Sequence, residues 1–203
     1  MMISVSEIRK KIPDEIIKTA IDIHGHMSPG LATGFKLILY ALDQIIITPQ
    51  DKVIIVSESV RCLQDAAFSI SSYLNQKNKW RIYPKTYDVG KLSIQIHKNY
   101  DKHTESGELF RVVIEPHKVK SYPFFYNWLY QQEQEKTPLD QLVNEINSAP
   151  DEEIFKILPF SGKMTDLCHI MNKNLVVCPD CGEFTEKATL IKNKCRICAY
   201  FEK

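Results

Sequence analysis

Apolar residues at Leu31, Phe35, Ile38, Leu42 and Ile45 recur at steps of three and four, the stripe of an amphipathic helix. Ser28 stands at its N-cap and Pro29 at its first helical position, where a side-chain acceptor and a fixed φ are favoured. This is the central helix. An earlier helix is predicted from Pro13 to about Ile23, and Leu63, Ala66, Ala67, Ile70 and Leu74 give a third at the same period. The β-branched run Val53 to Val56 reads as a strand. From Tyr87 the period falls to two: Leu92, Ile94 and Ile96 alternate with polar residues, a polar loop spans Asn99 to Glu108, and Leu109 to Glu115 supplies a hairpin partner. After the Gln/Glu-rich stretch Gln131 to Lys136, Thr137 and Pro138 open a further helix through Ile146. Helices first and strands later predict an α+β domain, its helices packed on a mostly antiparallel sheet.

The last stretch has a different texture, with two cysteine pairs and too little apolar material for a core. Cys178-Pro-Asp-Cys181-Gly182 and Cys195-Arg-Ile-Cys198 form C-x2-C…C-x2-C with thirteen residues between the pairs, the spacing of a tetrahedral thiolate site for structural zinc. Four cysteines leave no open position for water, so the site is expected to be closed and folding of the tail to depend on metal. Disulfides or a redox dithiol are the competing readings. The second expects a single C-x-x-C within a βαβ unit. The predicted organisation is a core domain at 1–172 and a small treble-clef or ribbon-type zinc finger at 173–203.

Composition narrows the partners. The 203 residues carry 26 basic and 25 acidic side chains, a formal net charge of +1, which gives little footing for nucleic acid or an anionic membrane. From Lys173 to Lys203 six basic face four acidic residues, so the finger taken alone does not alter that. The longest apolar run, Leu37 to Leu42, is far short of the ~20 residues of a membrane span. Met1 to Lys11 lacks the apolar stretch of a signal peptide, so a cytoplasmic protein with reduced thiols is expected. No G-x-G-x-x-G or P-loop motif occurs, which removes the main support for dinucleotide or nucleotide binding.

A second constellation is His24-Gly25-His26-Met27-Ser28-Pro29-Gly30, ending at the N-terminus of the central helix. Histidines two apart share no helical face, but a glycine-containing turn lets them converge. On the third helix Cys62 and Asp65 lie three apart on one face. A thiol, a carboxylate and imidazoles together suit a metal with an open position or a general acid/base site. The same residues are equally read as a capping serine, a buried small thiol and histidines bonded to backbone. Spacing alone leaves these open.

The segments His24-Gly25-His26-x-Ser28-Pro29-Gly30-x-x-x-Gly34-Phe35, Glu58-x-x-x-Cys62-x-x-Asp65-Ala66 and Asp88-x-Gly90-Lys91, with the cysteine finger, resemble the FmdE family, named for the FmdE subunit of formylmethanofuran dehydrogenase. The resemblance spans about residues 14–115 plus the finger. It implies an α+β core, a treble-clef zinc finger, a homodimer, and a role as subunit or accessory protein beside the molybdenum enzyme that reduces carbon dioxide onto methanofuran. Two departures stand out: Ser28 replaces the family's cysteine, and Ser71 to Thr86 contains no glycine or cysteine where a G-C-T-x-G-K-G segment is expected. Outside the finger only Cys62 and Cys168 remain, too few for a four-thiolate iron–sulfur cluster, so this chain is not expected to be the molybdopterin or iron–sulfur catalyst. Two other readings stand beside this one. In the first, the core is a stand-alone enzyme with a second metal on His26 and Cys62, Asp65 or His24 orienting its water. In the second, the protein is an interaction module whose finger, with the aromatic run Tyr122 to Trp128, docks a protein or nucleic acid. Cys168-His169, just before the finger, is left structural.

Overall fold

The computed structural model describes residues 3–88, 90–101, 106–130, 138–159, 175–182, 184–186, 190–195 and 198–199. Chain contacts divide the molecule into two units, Met1–Gly162 and Lys163–Lys203. The boundary expected at 172/173 lies outside the described residues, as do the stretch 131–137 and the pair Cys168-His169.

In the first unit the helices follow the apolar period. A short α1 (Val5–Lys10) comes first, opened by a capping box in which Ser4 Oγ accepts the Glu7 N–H and Glu7 accepts the Ser4 N–H, both at 3.1 Å. α2 (Asp14–His24) ends on Gly25 at φ +96°. α3 (Pro29–Leu42) opens on Ser28, whose Oγ accepts the Leu31 N–H at 3.1 Å. It stops at Leu42, so Ile45 joins the core from outside the helix. β1 (Lys52–Ser57) leads to α4 (Cys62–Asn78), which crosses over to β2 (Arg81–Thr86), parallel to β1. β3 (Ser93–Asp101) and β4 (Ser106–Ile114) form the hairpin. Both strands extend into the stretch 99–108 expected to be loop, of which 102–105 lie outside the described residues. The helices α5 (Pro116–Val119), α6 (Pro123–Tyr130), α7 (Leu139–Ser148) and α8 (Asp151–Ile154) follow. The edge strand β5 (Phe155–Pro159) completes a sheet of order β2-β1-β3-β4-β5, antiparallel except for β1 and β2. The predicted α+β class is the observed one.

α3 and α4 lie against one face of this sheet, where Val53, Ile55, Ile94, Ile96, Phe110 and Val112 join the main core. The aromatic run also packs inward. Phe125 is buried, and Tyr122, Phe124, Tyr126 and Trp128 are partly buried against the core. Among the described residues no helix is long and apolar enough to cross a membrane.

The approach of α3 to α4 is set by small residues. A Cβ at Gly34 would stand 2.9 Å from Ala66 Cβ and 3.4 Å from the Cys62 carbonyl; one at Gly30 would stand 2.8 Å from Cys62 Sγ. Gly30 and Gly34 are one turn apart on α3, facing Cys62 and Ala66, one turn apart on α4. Gly34→Ala is therefore expected to destabilise despite the better helix propensity of alanine. Overpacking costs about 1–3 kcal/mol against a propensity gain of at most about 1 kcal/mol, leaving a loss of about 1–2 kcal/mol. A urea midpoint unchanged or raised in the variant would show that the two helices part without cost.

The second unit contains an antiparallel pair, β6 (Leu175–Val177) with β7 (Phe184–Glu186). An Ile191–Lys194 bridge closes a turn through Lys192 and Asn193, both at positive φ. Chain geometry at Cys198 and Ala199 is helical.

Candidate functional site

The four finger cysteines converge as their spacing requires. The ligand atoms of Cys178, Cys181, Cys195 and Cys198 all lie within 4.8 Å of one another, and Cys181 Sγ to Cys195 Sγ is 3.8 Å. Four thiolates about 2.3 Å from a tetrahedral metal place neighbouring sulfurs about 3.8 Å apart, so the donor set fits such an ion. Backbone supports it: the Cys195 N–H points at Cys178 Sγ at 3.3 Å and the Cys198 N–H at Cys195 Sγ at 3.4 Å. Gly182, at φ +76°, turns the chain after the first pair and donates its N–H to the Cys178 carbonyl at 2.9 Å. N–H groups aimed at its sulfur, that of Cys195 foremost, hold the Cys178 thiol down at about 6, which favours the thiolate a metal needs.

The core constellation also assembles, across three helices. His24 is the last residue of α2, Ser28 caps α3, and Cys62 is the first residue of α4. Gly25, in the left-handed region, reverses the chain so that the end of α2 faces the start of α3. His24 Nδ1 meets Asp65 Oδ2 at 2.7 Å. On the other side of the ring, Nε2 lies 3.2 Å from Ser28 Oγ and 3.6 Å from Cys62 Sγ, and those two atoms are 3.6 Å apart. His24 and Asp65 side chains are only 10% and 16% exposed, so solvent competes little for the bond between them. A carboxylate only accepts, which puts the proton on Nδ1 and turns the Nε2 lone pair toward Ser28 and Cys62.

His26 stands apart from this arrangement. It is exposed, with its ring centroid 5.3 Å from that of His24. Asp65 and His24 are bonded to each other, and among the described residues the four cysteines are the one group of three or more potential ligands gathered within 4.8 Å.

The FmdE family profile, described as "FmdE, Molybdenum formylmethanofuran dehydrogenase operon", matches residues 23–156. The chain belongs to the FmdE family. The match contains every core residue of the constellation and ends before the finger. A crystal structure of an FmdE-like protein of tungsten formylmethanofuran dehydrogenase, from Syntrophus aciditrophicus, is similar, with a TM-score of 0.56 and 21% identity over 92% of this chain and 91% of that one. At that identity the likeness speaks to the fold. Comparison with curated proteins gives no match.

Two FmdE motif segments have structural work in this chain. In Asp88-x-Gly90-Lys91, Asp88 Oδ1 accepts the Gly90 N–H at 3.2 Å and the Lys91 N–H reaches the Glu58 carbonyl at 3.2 Å. Glu58 is buried and holds Arg111 with both carboxylate oxygens, Nε at 2.7 Å, while Ser93 and Gln95 donate to it as well. Burial alone would raise the Glu58 carboxyl, yet bonds from Arg111, Ser93 and Gln95 keep it below the usual range. Gln95 Oε1 in turn meets His97 Nε2 at 2.9 Å, and burial pushes His97 down to about 4. Sequence reasoning assigned no role to this network. The signal available was the row of polar alternates Ser93, Gln95 and His97 on β3, all of them buried.

Proposed function

We propose that this FmdE-family protein is a subunit or accessory protein of a formylmethanofuran dehydrogenase, working as a homodimer in the cytoplasm, with a structural zinc on Cys178, Cys181, Cys195 and Cys198. The observation that carries the reading is the family match over residues 23–156, a family described by its place in the operon of that enzyme. The zinc would cross-link the finger and supply no reaction chemistry, because all four positions are taken by cysteine. The core does not read as the redox catalyst. Outside the finger the sequence holds two cysteines, Cys62 and Cys168, whereas an iron–sulfur cluster takes about four thiolates.

Co-expression with the catalytic subunits of a formylmethanofuran dehydrogenase tests this. The expected result is co-elution in fixed stoichiometry, and for the isolated chain a mass twice that of one chain with no visible iron–sulfur absorbance. Separate elution together with unchanged dehydrogenase activity would overturn the accessory role, and cluster bands in the isolated chain would overturn the exclusion of redox chemistry.

A further inference from the structure

We propose that Cys62, His24 and Asp65 form a nucleophile site for acyl transfer, taking small activated acyl esters or thioesters through a thioester on Cys62 Sγ. This goes beyond the accessory role and stands on core geometry alone. A nucleophile within hydrogen-bond reach of a base that is itself oriented by a third group is the signature of covalent catalysis. Here Asp65 is bonded to His24 Nδ1 at 2.7 Å, and His24 Nε2 faces Cys62 Sγ at 3.6 Å.

Three further features assign the roles. Ser28 Oγ receives the Leu31 N–H of the α3 cap, and its one hydrogen is left for His24, so Ser28 holds the ring while Cys62 is the group free to attack. Arg61, immediately before Cys62, sits at φ 64° and ψ −116°, a strained conformation for a residue with a Cβ. Such strain persists where surrounding structure enforces it, and it clusters at functional sites. In this chain it delivers Cys62 to the start of α4 directly from the β1 end. Gly30 leaves open the position beside the sulfur, where a Cβ would be 2.8 Å away, and Trp128 borders the same position at 3.8 Å.

In the reaction the Cys62 S–H proton passes to His24 Nε2 as the sulfur attacks the carbonyl carbon. The new C–S bond forms, and the developing oxyanion is met by first-turn N–H groups of α4, which have no intrahelical acceptor. The bond to the leaving group breaks with its electron pair, and His24 returns the proton to that group. Water or an acceptor amine then attacks the thioester, giving its proton to His24, which passes it back to Cys62. No oxidant or reductant is required. Asp65 is a positioning residue: it fixes the tautomer and steadies the imidazolium.

The test uses the full-length, metal-loaded chain and p-nitrophenyl acetate, with peptide mass mapping of the product. One acetyl group on Cys62 per released p-nitrophenolate is expected, formed faster than on N-acetylcysteine at the same pH. His24→Gln should slow it by about 100- to 10,000-fold with the melting transition retained. Added imidazole should restore part of the rate to His24→Gly. Asp65→Asn should be slow and Asp65→Glu partly rescued, a contrast that a purely structural Asp65 would not give. Acetylation of Cys62 no faster than the free thiol would overturn the proposal without recourse to any variant. So would equal rates in wild type and His24→Gln, an adduct confined to other cysteines, or a second metal equivalent lost in Cys62→Ala.

Discussion

Replacing Arg111 with methionine is expected to destabilise the core by about 3 kcal/mol at neutral pH, the low end of the range for stripping one partner from a buried ion pair. Glu58 is 2% exposed, and its carboxylate is compensated by Arg111, Ser93 and Gln95 together. Methionine keeps the length of the side chain and removes the charge, leaving Glu58 with two neutral donors. The low end applies because the Arg111 side chain retains 19% exposure, so solvent already screens one side of the pair. Glu58→Gln in the same background should recover much of the loss, since removing both charges avoids an uncompensated one.

The pH dependence has a definite sign. In the native protein the Glu58 carboxyl lies below its ordinary value, so its stabilising contribution is present above the unfolded carboxylate pKa and is lost as pH falls through the folded one. In Arg111→Met the burial that raises the carboxyl is no longer outweighed, and Glu58 takes up a proton more readily. The gap between variant and wild type should therefore be widest near pH 7 and narrow toward pH 4, measured as urea midpoints at the two values. A gap that is constant across that range would mean the loss comes from packing of the Arg111 stem and not from its charge.

The same network shows where sequence reading reached its limit. Helices α2, α3 and α4 were legible because their apolar period is intrinsic to a contiguous segment. Glu58 and Arg111 are 53 residues apart, and no local pattern pairs them. Gln95 and Arg111 face each other across β3 and β4, a register that only the folded sheet defines. β2 escaped notice for a local reason: it carries Pro84 and buries little besides Ile82. Both are tolerated because it is an edge strand, where a missing N–H breaks no inner ladder. At the core site the residue types were legible as a set, but the turn at Gly25 and the strained Arg61 decide which atoms meet. Hence His26, close by in sequence, is left outside while Asp65, 41 residues from His24, is bonded to it.

Removing metal from the finger should unfold it while leaving the core intact. The described finger has one ladder of three-residue strands, Leu175–Val177 with Phe184–Glu186, and an isolated two-stranded hairpin is at best marginal in water. Against that, structural zinc contributes about 10–16 kcal/mol in comparable peptides at neutral pH, far more than this stretch could draw from packing. The core unit, Met1–Gly162, has its own sheet and buried helices and no need of that energy. Chelation is therefore expected to expose the segment 163–203 to protease and to release a core fragment that melts as before. Cys195→Ser in the full chain should do the same without a chelator, since Cys195 supplies one sulfur and its N–H supports Cys178. Metal analysis should return one zinc per chain before treatment and none after. Iron in its place would reassign the ion, as a tetrahedral thiolate set also suits iron, while protection of 163–203 unchanged by chelation would show that contacts among its side chains, and not a metal, hold the finger together.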